Sequence, residues 1–181
     1  MLLGGRGPAA GDPRRFTMSV LNAVLGGGMS SRLFQEIREK RGLAYSTYSF
    51  SAGYTEAGIF GLYAGCTPAR VAEVVGLMDE QWRLLAEEPL SDGELRRAVG
   101  QLSGQLVLGL EDTSSRMARL TRSEIATGEL WTLEETLAAV RAVTADEVAA
   151  LAADLRSRPR SLVVVGPFEH DLAGELLAGL A

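Results

Sequence analysis

One arginine and one tyrosine are the side chains whose types and spacing could perform chemistry on a substrate. Tyr45 follows Arg38 by seven positions, and Gly42 lies between them. A guanidinium and a phenol are both hydrogen-bond donors, so together they could bind a carbonyl and stabilise the negative charge that its oxygen gains in a reaction. The alternative is that Arg38 pairs with surface carboxylates such as Glu39 or Glu56 while Tyr45 only packs. The residue types alone leave both interpretations open.

A short helix followed by a strand would hold this pair in place. From 31 to 41 the apolar side chains recur three and four positions apart, which predicts an amphipathic α-helix with Arg38 at the edge of its buried face. Gly42 is expected to end this helix as a left-handed cap. Period-two alternation over residues 44–50 predicts a strand. The strand face that contains the tyrosine would carry Tyr45, Thr47 and Ser49.

Strand and helix patterns also cover the rest of the chain. Strands are predicted at 1–7, 44–50, 59–66 and 160–165, and helices at 12–26, 31–41, 67–88, 92–110, 112–127, 133–142, 145–155 and 168–180. Three helices after Pro89 begin with capping boxes, in which a Ser or Thr and a Glu three residues later satisfy backbone donors. This order predicts an α/β (α+β) fold, a two-layer sandwich in which helices cover one face of a small mixed or antiparallel sheet. The uncovered face of the hairpin is expected to carry small or polar groups.

Length and composition restrict the class of protein. The 181 residues fit one domain, and the formal net charge of −5 argues against a general nucleic-acid-binding surface. No apolar run approaches the ~20 residues of a membrane span, so we expect a cytoplasmic protein with neither nucleic acid nor membrane as a partner. Cys66 and His170 are each the single residue of their type, so the chain cannot supply the imidazole or thiolate majority of a catalytic zinc site.

Two further patterns have more than one interpretation. The glycine run at 26–28 precedes a helix and could bind phosphate. It follows another helix, however, and lacks both the Walker lysine and the dinucleotide fingerprint, so a plain turn is favoured. On a later helix, arginines recur every three residues and could form a basic stripe: Arg116, Arg119 and Arg122. The favoured interpretation is a solvated surface opposite the apolar stripe of Met117, Leu120 and Ile125.

The segment GGGMSSRLFQEIREKRGLAYSTYS, at residues 26–49, resembles a known signature. It is similar to the C-terminal domain of the insulinase/pitrilysin-type zinc metallopeptidases, closest to the mitochondrial processing peptidase branch and its bacterial relatives. Three later segments are similar to the same domain in order and spacing, namely RMARLTRSEIATGE, LEETLAAVRAVTADEV and SLVVVGPFE. The resemblance therefore covers nearly the whole chain.

This resemblance implies a processing-peptidase-like half-domain with a ferredoxin-like core. In the family, two such domains form a clamshell, and the N-terminal one binds zinc through an H-x-x-E-H motif. The present chain has no H-x-x-E-H motif. We therefore expect residues 1–181 to be a C-terminal peptidase domain truncated at its N-terminus. Zinc would belong to the missing domain, with no cofactor in this chain, and the isolated chain would be inactive.

The resemblance also implies roles for particular residues and partners. Arg38 and Tyr45 match the family's arginine and tyrosine, which reach across the chamber to the peptide carbonyl, and are the expected catalytic residues. With Gly27 and Gly28 they form the expected substrate-binding set. The expected partners are an N-terminal zinc-bearing domain or subunit, a peptide substrate and a second full-length chain in a dimer. The alternative is a non-catalytic assembly domain, like the core subunits of the respiratory cytochrome reductase.

Overall fold

Four strands form the sheet in the computed structural model, which describes residues 1–168 and 170–180. They are β1 (Leu2–Gly7), β2 (Ala44–Gly53), β3 (Gly58–Cys66) and β4 (Arg160–Val163). Their order is β2-β3-β1-β4, and every pairing is antiparallel. The predicted fold class is confirmed, and the sheet is antiparallel and not mixed. The strand that contains Tyr45 is an edge strand.

Helices cover one face of this sheet. They are α1 (Arg15–Gly26), α2 (Val71–Glu87), α3 (Asp92–Gly109), α4 (Thr113–Thr127), α5 (Leu133–Ala142), α6 (Ala145–Ser157) and α7 (Leu172–Ala178). All three predicted capping boxes are present, at the starts of α3, α5 and α6. Against the sheet, α1 packs on β2, α2 on β3 and α6 on β1, while α3 and α5 pack on α1.

Two predicted helix starts are corrected. α1 begins after the predicted Asp12, because the Asp12 carboxylate accepts a hydrogen bond from the Arg14 backbone N–H at 2.8 Å and closes a turn ahead of the helix. The last helix begins at Leu172 and not at 168, because Asp171 caps it by accepting from the Gly174 N–H at 3.0 Å. Positions 169 and 181, which the predicted helix and domain include, lie outside the described residues.

The core lies between the sheet and its three covering helices. Trp82 is fully buried in it, and its ring meets Phe60 edge-on with centroids 5.2 Å apart. Its indole N–H donates to the Ala152 carbonyl at 3.3 Å, which ties α2 to α6. Burial of an aromatic side chain of this size contributes several kcal/mol to the stability of the fold, at ~25 cal/mol per Å² of apolar surface removed from water. These contacts fix the helical layer on the sheet.

A half-buried cluster of charges joins α2, α6 and β4. The Asp79 carboxylate accepts from Arg156 and from Arg160, the second at 2.7 Å, and all three side chains are less than 15% exposed. A shielded carboxylate between two guanidiniums is sensitive to the loss of any one member. The cluster therefore fixes the position of the last strand relative to two helices.

The uncovered face of the hairpin carries aromatic rings as well as the expected small residues. Tyr48 stacks on Tyr63 of β3 with centroids 4.8 Å apart, and the Phe50 ring lies beside Gly61. On β2, Thr47 and Ser49 face the helices, and α1 approaches β2 so closely that a Cβ on Gly26 would lie 2.1 Å from the Ser49 backbone nitrogen. No helix among residues 1–168 and 170–180 is long and apolar enough to cross a membrane.

Candidate active site

The helix that carries Arg38 is a π-helix over Phe34–Glu39 and not the predicted α-helix. The Lys40 N–H donates to the Gln35 carbonyl at 2.9 Å, one residue further back than in an α-helix. Apolar spacings of three and four place buried residues on one face in either conformation, so periodicity could not separate them. Gly42 ends the segment with φ +61°, as the predicted left-handed cap.

Tyr45 is the extra residue of a β-bulge. Ala44 pairs with Cys66 and Ser46 with Gly65, which leaves Tyr45 without a partner on β3. A bulge shifts the alternation by one residue, so the predicted strand face of Tyr45 with Thr47 and Ser49 is wrong. Those two residues are buried under α1, whereas Tyr45 is 83% exposed on the opposite side. Bulges are over-represented beside active sites because they redirect one side chain.

The structure brings Arg38 and Tyr45 together. The Arg38 guanidinium carbon lies 4.8 Å from the Tyr45 ring centroid and 4.7 Å from the Phe34 ring centroid. Each ring face attracts the cation, and such stacking leaves the N–H groups at the edge of the guanidinium plane available. The carboxylate nearest to Arg38 in the described part of the chain is that of Glu39, at 3.7 Å. Glu56, the other carboxylate considered, makes no ion pair with Arg38 there.

A shallow cavity of about 360 Å³ borders this pair. Its lining unites all four residues expected to bind substrate, Arg38, Tyr45, Gly27 and Gly28, with Met29 and the Tyr48 ring beside them. The stacked pair and the glycine turn therefore share one opening, at the end of β2 where the bulge lies.

Three side chains hold the glycine turn, residues 26–29, by hydrogen bonds to its backbone carbonyls. Gln101 of α3 donates to the Gly27 carbonyl at 2.8 Å, and the Ser31 hydroxyl donates to the Gly28 carbonyl at 2.6 Å. Gln35 donates to the Met29 carbonyl at 2.7 Å. The three carbonyls thus have hydrogen-bond partners, and Gly27 and Gly28 present a surface without side chains beside the exposed Met29.

The other basic groups near the site are neutralised. Lys40 and Arg41 both pair with Glu36, and their hydrogen bonds hold the pKa of that carboxyl below its ordinary value. Arg32 pairs with Glu94 at 3.0 Å. Burial is the largest single influence and raises the pKa of Glu94, but the hydrogen bond and charge of Arg32 together with the hydrogen bonds from Ser91 outweigh it, and the net shift is downward. Arg38, with its 3.7 Å contact, is left as the basic group available to a ligand.

Two residues beside the pair were missed by sequence reasoning. Phe34 was counted only among the apolar residues of the predicted amphipathic helix, although it lies four positions before Arg38, the spacing of neighbours on a helix. The Thr47 hydroxyl is buried at the edge of the cavity without a hydrogen-bond partner in the described part of the chain. The predicted strand placed Thr47 on the same face as Tyr45, whereas the bulge places it on the covered face.

Zinc does not fit the described residues. Within residues 1–168 and 170–180, no group of three or more His, Cys, Asp or Glu side chains could hold a metal ion. His170 is exposed near α7, with its Nε2 3.7 Å from the Glu175 carboxylate. Burial raises the pKa of the Cys66 thiol, which disfavours the thiolate that binds zinc.

A family model described as the peptidase M16 inactive domain matches residues 1–102, more than half of the chain. The chain belongs to this family. The family expected from the sequence is thereby confirmed. An uncharacterized zinc protease of Streptomyces coelicolor is 49% identical over 97% of the chain, and one of Bacillus subtilis is 35% identical over 92%. The chain spans 38% and 41% of the length of these two relatives.

Solved structures show the same fold. A peptidase M16 inactive domain from Pseudomonas fluorescens superposes with a TM-score of 0.77 at 24% identity, covering 85% of this chain and 37% of that one. A chain of complex III2 from Candida albicans gives a TM-score of 0.75 at 18% identity, covering 84% of this chain and 39% of that one. At these identities the likeness concerns the fold alone.

Proposed function

We propose that this chain is the C-terminal substrate-binding and transition-state-stabilising domain of a zinc-dependent metalloendopeptidase that cleaves peptides in a closed chamber. The observation that carries the proposal is the stack of Arg38 on Tyr45 beside one cavity. Zinc would be bound by an N-terminal zinc-bearing domain or subunit, and the isolated chain would be inactive. The naming of its relatives as zinc proteases supports this assignment.

The two side chains would act as donors to the peptide backbone. Tyr45 projects from the bulge with its phenol exposed, so the hydroxyl could donate to a carbonyl oxygen that gains negative charge. Arg38 holds the Tyr45 ring by its face, and the edge of its guanidinium could donate to a neighbouring carbonyl. Both groups extend from the corner at Gly42, which fixes their relative position.

The glycine turn would contribute by its lack of side chains. Gly27 and Gly28 border the cavity with their carbonyls already bonded, so a peptide could approach this wall closely. The turn would therefore shape the binding site and would not itself accept hydrogen bonds from the substrate.

The partners follow from the same proposal. The uncovered sheet face, with stacked Tyr48 and Tyr63 and the exposed Val163, would be buried against the zinc-bearing half. We further propose that full-length chains form dimers and act in the cytoplasm. A single cysteine is in keeping with a compartment where disulfides are rare.

The test is reconstitution with a zinc-bearing N-terminal half. The two halves are mixed, and cleavage of an internally quenched peptide is followed with and without a zinc chelator. We expect cleavage from the mixture only, abolished by the chelator and restored by zinc. Cleavage by the isolated chain would contradict the proposal, as would a stably assembled mixture that shows none.

A second candidate function is a non-catalytic assembly domain. The observation that favours it is an exposed apolar stripe on α4, formed by Met117, Leu120 and Ile125. Stripes of this kind mark contacts with other proteins, and complex III2 from Candida albicans contains a chain of similar fold. A reconstituted protein that assembles through α4 but never cleaves peptide would favour this candidate.

A further inference from the structure

Helix α4 lies on the rest of the chain by its polar face. Arg119, Ser123 and Thr127 turn towards the body of the protein, while the apolar stripe defined above faces outward. The interpretation of the arginines as solvated surface is therefore wrong for Arg119, whereas Arg116 and Arg122 are exposed. Arg119 and Arg122 line a cavity of about 280 Å³ between α4, the start of α1 and the loop before α5.

One wall of this arginine cavity is a cluster of Arg15 with two aromatic rings that are in contact with each other. The Arg15 guanidinium carbon lies 4.9 Å from the Phe16 ring centroid and 4.8 Å from that of Trp131. Arg15 also pairs with Glu129 at 3.0 Å, and the Trp131 indole N–H donates to the same carboxylate oxygen at 3.0 Å. Arg15 is thus neutralised and fixed, and it presents a rigid wall.

The opposite wall carries positive charge that is not neutralised. One terminal nitrogen of Arg119 donates to the Trp131 carbonyl at 2.9 Å and to the Thr136 hydroxyl at 3.0 Å, so its partners are neutral. Arg122 makes no hydrogen bond or ion pair within residues 1–168 and 170–180. Among the residues that the structure describes, the carboxylate in the lining is that of Glu129, which is already shared by Arg15 and Trp131.

We propose that this arginine cavity binds the C-terminal carboxylate of a peptide, between Arg122 and the free edge of Arg119. A planar guanidinium matches a carboxylate in two parallel hydrogen bonds. At about 280 Å³ the cavity is below the usual size of a ligand pocket and accommodates one terminal residue. Phe16, Trp131 and Ala126 supply apolar contact for the side chain of that residue.

The arginine cavity is separate from the candidate active site. Gly53, at the far end of β2, borders it, while Tyr45 lies near the other end. Eight residues of strand separate the two positions, about 26 Å at ~3.3 Å per residue. The assignment depends on the proposed function in one respect, namely that the proposed peptidase activity would be the source of the peptide. Binding can be measured on this chain without catalysis.

Tryptophan fluorescence and calorimetry test the proposal directly. Trp131 is 38% exposed in the cavity wall while Trp82 is 1% exposed in the core, so Trp131 would report the bound ligand. The probes are a short acetylated oligo-alanine peptide with a free C-terminal carboxylate, the same peptide with a C-terminal amide, and inorganic phosphate. We expect the acid peptide to bind at least ~10-fold more tightly than either other probe, the effect of one charged hydrogen bond.

Two matched variants locate the site. Arg122→Gln should lower the affinity for the acid peptide by ~10-fold or more and leave the affinity for the amide peptide unchanged. Arg116→Gln removes the same charge from the same helix outside the cavity and should change neither affinity by more than about two-fold. Circular dichroism checks that both variants fold.

Several outcomes would overturn the assignment. They are equal binding of acid and amide peptides, no detectable binding, phosphate binding tighter than the acid peptide, or no effect of Arg122→Gln. Failure of the proposed function would give a different experimental result from failure of the binding assignment. A chain whose reconstituted form cleaves nothing can still bind the acid peptide in the arginine cavity.

Discussion

Replacing Tyr45 with phenylalanine in the reconstituted enzyme removes one hydroxyl and keeps the ring. The ring face carries the contact with Arg38, 4.8 Å from its centroid, and the face of phenylalanine also attracts a cation. Tyr45 is 83% exposed, and exposed substitutions change stability by less than about 0.5 kcal/mol. We therefore expect the free energy of unfolding to be unaffected, so that the substitution tests the hydroxyl alone.

The magnitude follows from one hydrogen bond to a developing oxyanion. Such a bond to a charged group contributes about 1.5–3 kcal/mol, and about 1.4 kcal/mol is tenfold in rate, which gives a range of about 10- to 150-fold. Closure of the two halves would exclude water from the exposed phenol and favour the upper part of the range. We expect kcat to fall ~10²-fold with a much smaller change in KM.

The assay is steady-state cleavage of a quenched peptide by the reconstituted protein. Tyr54→Phe is the matched control, because Tyr54 is also exposed but follows β2 at the far end, outside the cavity. Its kcat should stay within about two-fold of the unsubstituted value. Arg38→Ala removes both the stack and a second donor, and it should lower kcat and raise KM together.

One result would refute the reasoning. If Tyr45→Phe keeps kcat within about three-fold while urea unfolding shows an intact fold, the hydroxyl does not stabilise the transition state. Tyr45 would then be a packing residue for Arg38. The opposite pattern, an altered KM with constant kcat, would assign the hydroxyl to ground-state binding.

The remaining predictions concern stability, measured by urea unfolding. Asp79→Asn leaves two shielded arginines without their carboxylate and should cost about 3 kcal/mol; a loss below about 1 kcal/mol would contradict the role of the cluster. Gly26→Ala places a Cβ 2.1 Å from the Ser49 nitrogen, so α1 must move away from β2. This should lower the free energy of unfolding by about 1–3 kcal/mol. An unchanged free energy of unfolding would show that α1 and β2 are not closely packed there. The pKa of Glu94 is lowered in the folded chain, where it pairs with Arg32, so its contribution is complete above the ordinary value of 4.5 and is lost as the pH falls through the folded value. Between neutral pH and about pH 3, the free energy of unfolding of Glu94→Gln should therefore fall by less than that of the original chain. If the free energy of unfolding of the two proteins falls equally with pH, the Glu94 carboxylate makes no such contribution.

Much of the fold was predictable because it is encoded by close neighbours in the chain. The capping boxes at the starts of α3, α5 and α6 each satisfy backbone donors within four residues, and all three are present. Gly42 was predicted as a left-handed cap, and it has φ +61°. The order of strands and helices then determined the two-layer class.

The geometry of the candidate site was predictable only in part. The sequence placed Arg38 and Tyr45 at one corner, and the structure brings them into contact. It could not predict the bulge, because an extra residue in a strand shows only when the partner strand is paired. It also could not predict that Arg38 contacts the Tyr45 ring as well as the Phe34 ring, since the direction of Tyr45 depends on the bulge.

By itself the sequence determined the elements, their order, the family and the pair at the corner. Tertiary structure decided which face each element presents. Ser49 lies under α1 because Gly26 allows a close approach there, and this excludes Tyr45 from the covered side. α4 contacts the protein through Arg119 because Trp131 and Thr136 offer acceptors for its guanidinium, although its apolar stripe predicts the opposite orientation. The physical reason is that periodicity depends on neighbours along the chain, whereas the buried face of an element depends on partners far away in sequence.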